Sequence, residues 1–143
     1  MTEAGSATDL ALRALGFRDR TAAELDARLS EQGVGAAERE EALAALARAG
    51  YVDDRRVAHA RAVSLAEGGS GDALIRADLE GRGVSAAIVE EAIESLEPEQ
   101  ARVERIVARR GMGAKTARYL AAQGFGEEAL EAVVARDTGG TIG

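Results

Sequence analysis

A leucine followed four positions later by glycine and then by an apolar residue occurs five times in this 143-residue chain. In a helix that ends in a Schellman turn, the glycine takes a left-handed conformation and the next residue folds back onto the leucine. Each string therefore predicts the end of a helix. The strings are Leu12/Gly16/Phe17, Leu29/Gly33/Val34, Leu46/Gly50/Tyr51, Leu79/Gly83/Val84 and Leu120/Gly124/Phe125, with Val107/Gly111/Met112 as a looser sixth.

The segments between these glycines show no alternation of apolar and polar residues, so strands are not predicted. Capping residues and glycines together predict nine short helices and an all-α fold class. We expect them at about 9–15, 21–32, 35–49, 53–66, 71–82, 86–96, 98–110, 114–123 and 127–136.

The helices fall into three similar sets of three. Leu25-x-x-x-Leu29-x-x-x-Gly33 aligns with Ile75-x-x-x-Leu79-x-x-x-Gly83 at an offset of 50, and Leu120-x-x-x-Gly124 follows after a further 41. Such spacings are typical of tandem repeats, which have no single centre, so we expect an elongated, curved helical array. The predicted divisions are a disordered tail (1–7), helical repeats 1 (8–50), 2 (51–96) and 3 (97–136), and a flexible tail (137–143).

Two helix starts are strongly marked. Thr21 and Glu24 have the spacing of a capping box, in which each side chain accepts from the other residue's backbone N–H. Asp53 suits an N-cap, and Asp54 suits the positive end of the helix dipole. The same pair could be imagined as metal ligands, but adjacent carboxylates on a helix point about 100° apart. We therefore predict neither a metal site nor a cofactor.

Composition excludes several other classes. The net charge of −7 argues against broad coating of nucleic acid, which rests on many Lys and Arg contacts. Cysteine is absent, and the chain has neither a membrane-length apolar run nor a basic, apolar leader, so we expect a cytoplasmic protein. His59 has no carboxylate and nucleophile at helical spacing, so we predict no enzyme. Gly68 to Gly71 lack a following Lys-Ser/Thr, and we interpret them as a hinge rather than a phosphate cradle.

One cluster of basic residues stands out late in the chain. Arg102, Arg105 and Arg109 follow one ridge of a predicted helix, with three more cations close by in sequence. Such a stripe suits phosphates or an acidic protein surface, although it also fits a solvated helix face. The candidate partner-binding residues are Arg102, Arg105, Arg109, Arg110, Lys115 and Arg118.

Three longer patterns resemble the RecX family, the small bacterial regulators of the recombinase RecA. They are Arg20-Thr21-x-x-Glu24-Leu25-x-x-x-Leu29, Gly50-Tyr51-Val52-Asp53-Asp54-x-x-Val57-Ala58 and Gly71-x-x-x-Ile75-x-x-x-Leu79-x-x-x-Gly83-Val84. A fainter match, Lys115-x-x-Arg118-Tyr119-Leu120-x-x-x-Gly124-Phe125, resembles the last module of the family. Together the patterns cover about residues 10 to 134.

The resemblance implies both fold and function. RecX-like proteins are built from three tandem three-helix modules. They lie along the groove of the RecA filament on single-stranded DNA and inhibit its growth, ATP hydrolysis and strand exchange. For this chain the resemblance implies a noncatalytic, monomeric regulator that acts on RecA in DNA repair, recombination and the SOS response.

The chain also departs from that family. Its members tend to be basic and commonly carry an aromatic residue at the position of Val57 and basic residues just before Gly71. We therefore expect binding through protein contacts, with weak contacts to single-stranded DNA phosphates confined to the stretch from Arg102 to Arg118. Direct nucleic-acid binding and a general scaffold role remain the alternatives.

Overall fold

A computed structural model describes residues 3–16, 19–131 and 133, and these residues contain helices and turns but no strand. These residues form eight helices, and residues 127–131 and 133 are also helical. In chain order the helices are α1 (Glu3–Leu15), α2 (Ala22–Glu31), α3 (Ala36–Arg48), α4 (Asp54–Glu67), α5 (Asp72–Gly81), α6 (Ala86–Glu94), α7 (Glu99–Arg110) and α8 (Ala114–Ala122).

The predicted all-α fold of tandem three-helix repeats is confirmed, and most helix ends lie within two residues of their predicted positions. The exception is the N-terminus. Residues 1–7 are predicted from the sequence to form a disordered tail. This prediction is wrong for residues 3–7, which belong to α1. Ala7 and Ala11 are fully buried one turn apart, so the apolar face of α1 extends farther than the leucines indicated. Residues 1–2, the end of the predicted helix at 127–136 and the tail at 137–143 lie outside the described residues.

Four of the five glycine strings form the predicted Schellman turn. In each, the residue after the glycine donates its backbone N–H to the carbonyl of the leucine, at 2.9–3.2 Å. The turns lie at Gly33, Gly50, Gly83 and Gly124. Gly16 follows α1 without a positive φ, and Phe17 lies outside the described residues. At Gly50 the Tyr51 ring stays 56% exposed, and Val52 fills the first core instead.

Gly68 to Gly71, interpreted from the sequence as a hinge, form a defined turn. Ser70 donates its N–H to the Leu65 carbonyl at 2.9 Å, so α4 ends in a further Schellman turn at Gly69. Gly71 is buried, and its N–H donates to the Gln123 carbonyl at 2.7 Å. This segment therefore joins α4 to α5 within repeat 2 and also contacts repeat 3.

The apolar residues form three separate cores, one for each repeat. The first comes from α1–α3 and includes Leu25 and Leu29, and the second comes from α4–α6 and includes Ile75 and Leu79. The third comes from α7, α8 and the last helical segment, with Leu120 at its centre. Val52 belongs to the first core, so the boundary predicted at residue 51 falls slightly too early.

Consecutive repeats meet at joints in which the middle helices, α2, α5 and α8, stand end to end. At joint 1–2, the N-terminus of α2 lies on the C-terminal end of α5. The Thr21 hydroxyl accepts from the Glu24 N–H at 3.0 Å and donates to the Arg82 carbonyl at 2.6 Å. A Cβ on Gly83 would overlap the Cβ of Ala23. The capping box is thus confirmed, and its hydroxyl also joins two repeats.

At joint 2–3 the same surfaces meet again, one repeat later. The Gly71 N–H donates to the Gln123 carbonyl and the Ala73 N–H donates to the Gly124 carbonyl, at 2.7 and 3.1 Å. A Cβ on Gly71 would lie 2.5 Å from the carbonyl carbon of Gly124. The N-terminus of α5 therefore lies on the C-terminal end of α8, with backbone against backbone.

A carboxylate from the next repeat completes each joint. Asp54, the first residue of α4, accepts from the Ala22 N–H of α2 at 2.8 Å. Glu99, the first residue of α7, accepts from the Asp72 N–H of α5 at 3.0 Å and from the Gly126 N–H at 3.2 Å. Each carboxylate supplies an acceptor to helix N–H groups that have none within their own helix. Asp54 therefore caps the neighbouring repeat in addition to its position in α4.

A charged network lies beside joint 1–2. Asp78 of α5 accepts hydrogen bonds from Arg61 of α4 and from Arg82, each with an Nε–O distance of 3.0 Å. Arg82 also reaches Glu24 of repeat 1 at 3.4 Å. The hydrogen bond from Arg61 is the main cause of the lowered pKa of Asp78, and Arg82 lowers that pKa further. The network thus links two helices of repeat 2 to the capping box of repeat 1.

We expect the Asp78→Asn variant to lose about 1 kcal/mol of unfolding free energy at neutral pH, because two arginines lose their charged acceptor. The pKa of Asp78 is lower in the folded chain than its ordinary value of 3.8. Its stabilisation is therefore complete above that value and is lost as the pH falls through the folded-state pKa. Urea unfolding at several pH values, with the exposed Glu40→Gln as control, measures this. A difference from the parent protein that persists unchanged in strong acid would contradict it.

Two glycines with the same φ provide a matched test of the joints. Gly33 and Gly124 have φ values of 84° and 86°. A Cβ on Gly33 meets nothing within 4 Å, whereas one on Gly124 lies 2.7 Å from the Leu74 backbone nitrogen. We expect Gly33→Ala to cost about 1 kcal/mol from backbone strain alone. Gly124→Ala should cost at least about 1 kcal/mol more through overlap at joint 2–3. Equal costs in thermal unfolding would show that the close approach does not matter.

Candidate functional site

The basic stripe predicted on one helix divides into a buried residue and an exposed group. Arg102, on α7, is only 7% exposed. Its guanidinium donates to the Glu97 carbonyl at 3.0 Å and to the Ser70 carbonyl at 2.9 Å, and it pairs with Asp72. It also lies 5.7 Å from the centre of the Phe125 ring. Arg102 is therefore occupied within joint 2–3, which corrects its interpretation as part of an exposed stripe.

The other five candidate cations lie on the surface of α7 and α8. Arg105, 61% exposed, pairs with Glu97. Arg109 is exposed one turn farther along the same helix. Arg110 lies over the Tyr119 ring, 3.4 Å from its centre, which fixes its planar group by a cation–π contact. Lys115 and Arg118 are exposed on α8.

Arg105 and Arg109 line a cleft between α4 of repeat 2 and α7 of repeat 3, which we call the α4–α7 cleft. One part, about 170 Å³, has apolar walls from Val63, Leu96 and Ile106. An adjoining part of about 250 Å³ reaches Arg110 and Tyr119. Arg109 and Glu67 border both parts. The cleft thus combines apolar walls with a rim of three exposed arginines and two glutamates, Glu67 and Glu97.

Joint 2–3 positions this cleft. Gly71, Glu99 and Arg102 together fix the start of α5 against α7 and α8, and α4 leads into the joint through the turn at Gly69. The Tyr119 hydroxyl lies 3.6 Å from the place of a Cβ on Gly69, so the same turn borders the adjoining part of the cleft. The position of the exposed arginines relative to α4 therefore depends on contacts between repeats.

Sequence reasoning missed the wall of the cleft that comes from α4. Val63 and Ala66 belong to a helix about 40 residues away from the arginines, and nothing in the spacing relates them. The aromatic partner of Arg110 had a weak signal, because Tyr119 stands beside Arg118 in the pattern that resembles the last RecX module.

The other residues considered for chemistry have ordinary structural surroundings. The Asp53 side chain accepts from the Arg55 and Arg56 N–H groups at 3.1 and 3.3 Å, as an N-cap does. His59 is exposed, and its Nδ1 lies 3.1 Å from the Ser95 hydroxyl. Among the described residues, no three carboxylate or imidazole groups are grouped as metal ligands are. No described helix has the length and apolar character needed to span a membrane.

Comparisons with known proteins identify the family. Residues 7–53 match the family model described as RecX, first three-helix domain. The chain is 32% identical to the regulatory protein RecX of Halorhodospira halophila (strain DSM 244 / SL1), over 94% of this chain and 92% of that protein. The chain belongs to the RecX family.

Solved RecX structures share the fold. The crystal structure of RecX from Lactobacillus salivarius superimposes with a TM-score of 0.79 at 16% identity, covering 94% of this chain and 96% of that chain. A second crystal structure, of a regulatory protein RecX, gives a TM-score of 0.77 at 18% identity, covering 93% and 72%. The three-helix repeats predicted from glycine spacing are therefore the architecture of this RecX-family protein.

Because Arg102 is buried and Arg109 is exposed on the same helix, we expect their substitution to change the free energy of unfolding by different amounts. Arg102→Met leaves Asp72 and the Ser70 carbonyl without their donor, and we expect it to cost about 2 kcal/mol of unfolding free energy. Arg109→Met, at an exposed position, should change stability by less than about 0.5 kcal/mol. Urea unfolding followed by circular dichroism measures both. Similar losses in the two variants would contradict the assignment of Arg102 to the joint.

Proposed function

We propose that this RecX-family protein binds the RecA recombinase filament and inhibits its growth, ATP hydrolysis and strand exchange, without catalysing a reaction itself. Membership of a family of regulatory proteins is the observation that carries this proposal. The role suits a protein of the cytoplasm that acts in DNA repair, recombination and the SOS response.

The arrangement of the repeats supports a partner that is itself a repeating polymer. Each repeat has its own core and its own exposed surface, so successive repeats can contact successive subunits of a filament. Contacts that are weak one by one then add through effective concentration. A small-molecule ligand, by contrast, would need the surface of only one of the three repeats.

The α4–α7 cleft is the contact region that the geometry supports best. Arg109 has no ion pair among the described residues, and Arg105 forms an ion pair with one carboxylate, that of Glu97. Carboxylates of a protein surface would pair with these guanidinium groups, while apolar side chains would cover Val63 and Ile106. Such charged contacts at the edge of an interface mainly set specificity and association rate.

Contact with single-stranded DNA is a secondary part of this proposal. Five exposed cations, one of them stacked on Tyr119, are suited to phosphates. However, the chain carries a net charge of −7, which opposes tight binding to DNA alone. Fluorescence anisotropy of a labelled oligonucleotide across a salt series tests it, and a flat response at low salt would remove DNA from the proposal.

The main test follows ATP hydrolysis by RecA on single-stranded DNA while this protein is titrated in. We expect progressive inhibition by the parent protein. The Arg105→Glu/Arg109→Glu variant should need at least about tenfold more protein for the same effect, because two like charges then face an acidic surface. Arg13→Glu/Arg48→Glu, the same charge change at exposed positions of repeat 1, should behave as the parent protein does.

The possible results separate the function from the site. If the parent protein leaves hydrolysis unchanged at stoichiometric excess, the proposed function is wrong. If it inhibits but both double variants inhibit equally well, the function stands and the α4–α7 cleft is not the contact region. Circular dichroism of all three proteins checks that the substitutions leave the helices intact.

A further inference from the structure

The arginines that line the α4–α7 cleft are accompanied by two carboxylates. Glu97, just before α7, forms an ion pair with Arg105, and both side chains are more than half exposed. Glu67 is the last residue of α4 and borders the same two parts of the cleft as Arg109. The part of about 170 Å³ therefore has two exposed arginines and two exposed glutamates around its apolar walls.

The buried Arg102 does not alter this balance of charge. It also lines that part of the cleft, but its guanidinium pairs with Asp72 and donates to two backbone carbonyls inside joint 2–3. The adjoining part of about 250 Å³ adds Arg110, which lies over the Tyr119 ring. Around the whole cleft, three exposed arginines thus accompany two exposed glutamates.

Glu67 occupies a position that its own helix disfavours. The C-terminal end of a helix carries a partial negative charge, so a carboxylate there is repelled and a cation is favoured. The last turn of α4 contains no basic residue, and Glu67 forms no ion pair within the part of the chain that the structure describes. The end of α4 therefore adds negative charge to the cleft from both the carboxylate and the helix dipole.

This charge balance distinguishes the cleft from the exposed surface of α8. Lys115 and Arg118 are exposed there, and α8 contains no acidic residue. The affinity of a protein for single-stranded DNA grows with the number of phosphates that its cations neutralise, and carboxylates among those cations oppose the neutralisation. A protein surface, in contrast, can place a cation against each carboxylate. The cleft is therefore suited to a surface that carries charges of both signs.

We propose that Glu67 and Glu97 determine the specificity of the α4–α7 cleft, by excluding single-stranded DNA and reserving the cleft for a protein surface with charges of both signs. A cleft lined by arginines alone would also bind bare DNA, which would divert the protein from RecA filaments. The weak contacts with DNA phosphates proposed above are then left to Lys115 and Arg118, outside the cleft. This inference deepens the proposed function and rests on it for the identity of the protein partner.

The test measures DNA binding by a variant in which the two carboxylates become amides, Glu67→Gln/Glu97→Gln. Fluorescence anisotropy of a labelled oligothymidine gives the affinity at several salt concentrations. At low salt we expect this cleft variant to bind at least about fivefold more tightly than a control variant of equal charge. Because two more arginines become available to phosphates, the logarithmic salt dependence of the binding constant should steepen by about 1.4.

The control variant, Glu31→Gln/Glu90→Gln, makes the same change in charge away from the cleft. Glu90 is exposed and pairs with Arg76, and Glu31 is exposed without an ion pair among the described residues. The control thus reproduces the surroundings of Glu97 and Glu67 respectively. Since both double variants carry the same net charge, a difference between them reports the position of the carboxylates rather than the total charge.

A further variant locates the gain in affinity. Adding Arg105→Met and Arg109→Met to the cleft variant restores the net charge of the parent protein and should return the affinity to about that of the parent protein. Circular dichroism checks that every variant keeps its helices. Equal affinities of the cleft and control variants, or a gain that persists undiminished without the two arginines, would overturn the proposal. These measurements contain no RecA, so their result is separate from that of the ATP hydrolysis test.

Discussion

The contact on which this structure depends is the approach of two helix ends with almost no side chain between them. At joint 2–3 the backbone of Gly71 meets the backbone of Gly124, and at joint 1–2 Gly83 receives the methyl group of Ala23. At Gly83 and Gly124, glycine is needed both for its left-handed conformation and for the space that a Cβ would fill, whereas Gly71 is needed for the space alone. The same residue therefore ends one helix and receives the next, which links the local turn to the order of the repeats.

This arrangement divides stability between small apolar cores and polar joints. Each repeat buries its own aliphatic side chains, and hydrogen bonds, carboxylates and one buried arginine connect the repeats. Asp54 and Glu99 occupy the same place in successive joints, where each accepts from a backbone N–H at the N-terminus of a middle helix. In such a protein the relation between neighbouring repeats is set by a few polar groups, and their loss would affect geometry as well as stability.

The candidate site is a consequence of one of these joints. The α4–α7 cleft lies where repeats 2 and 3 meet. Arg102 is buried there and connects the two repeats through Asp72, while Arg105 and Arg109 remain at the surface. Cations that look equivalent on a helix ridge thus serve different purposes.

The sequence by itself determined the local structure. Glycine spacing, the capping box at Thr21 and the N-cap at Asp53 fixed the all-α class, most helix boundaries and the three-fold repetition, because these depend on residues within a few positions of one another. The patterns at Gly50 to Ala58 and Gly71 to Val84 also indicated the family. Only the tertiary structure decided which arginine is buried, that Asp54 caps another repeat, and that α4 forms one wall of the cleft. Those features arise from contacts between residues about 30 or more positions apart, whose pairing no helical period encodes.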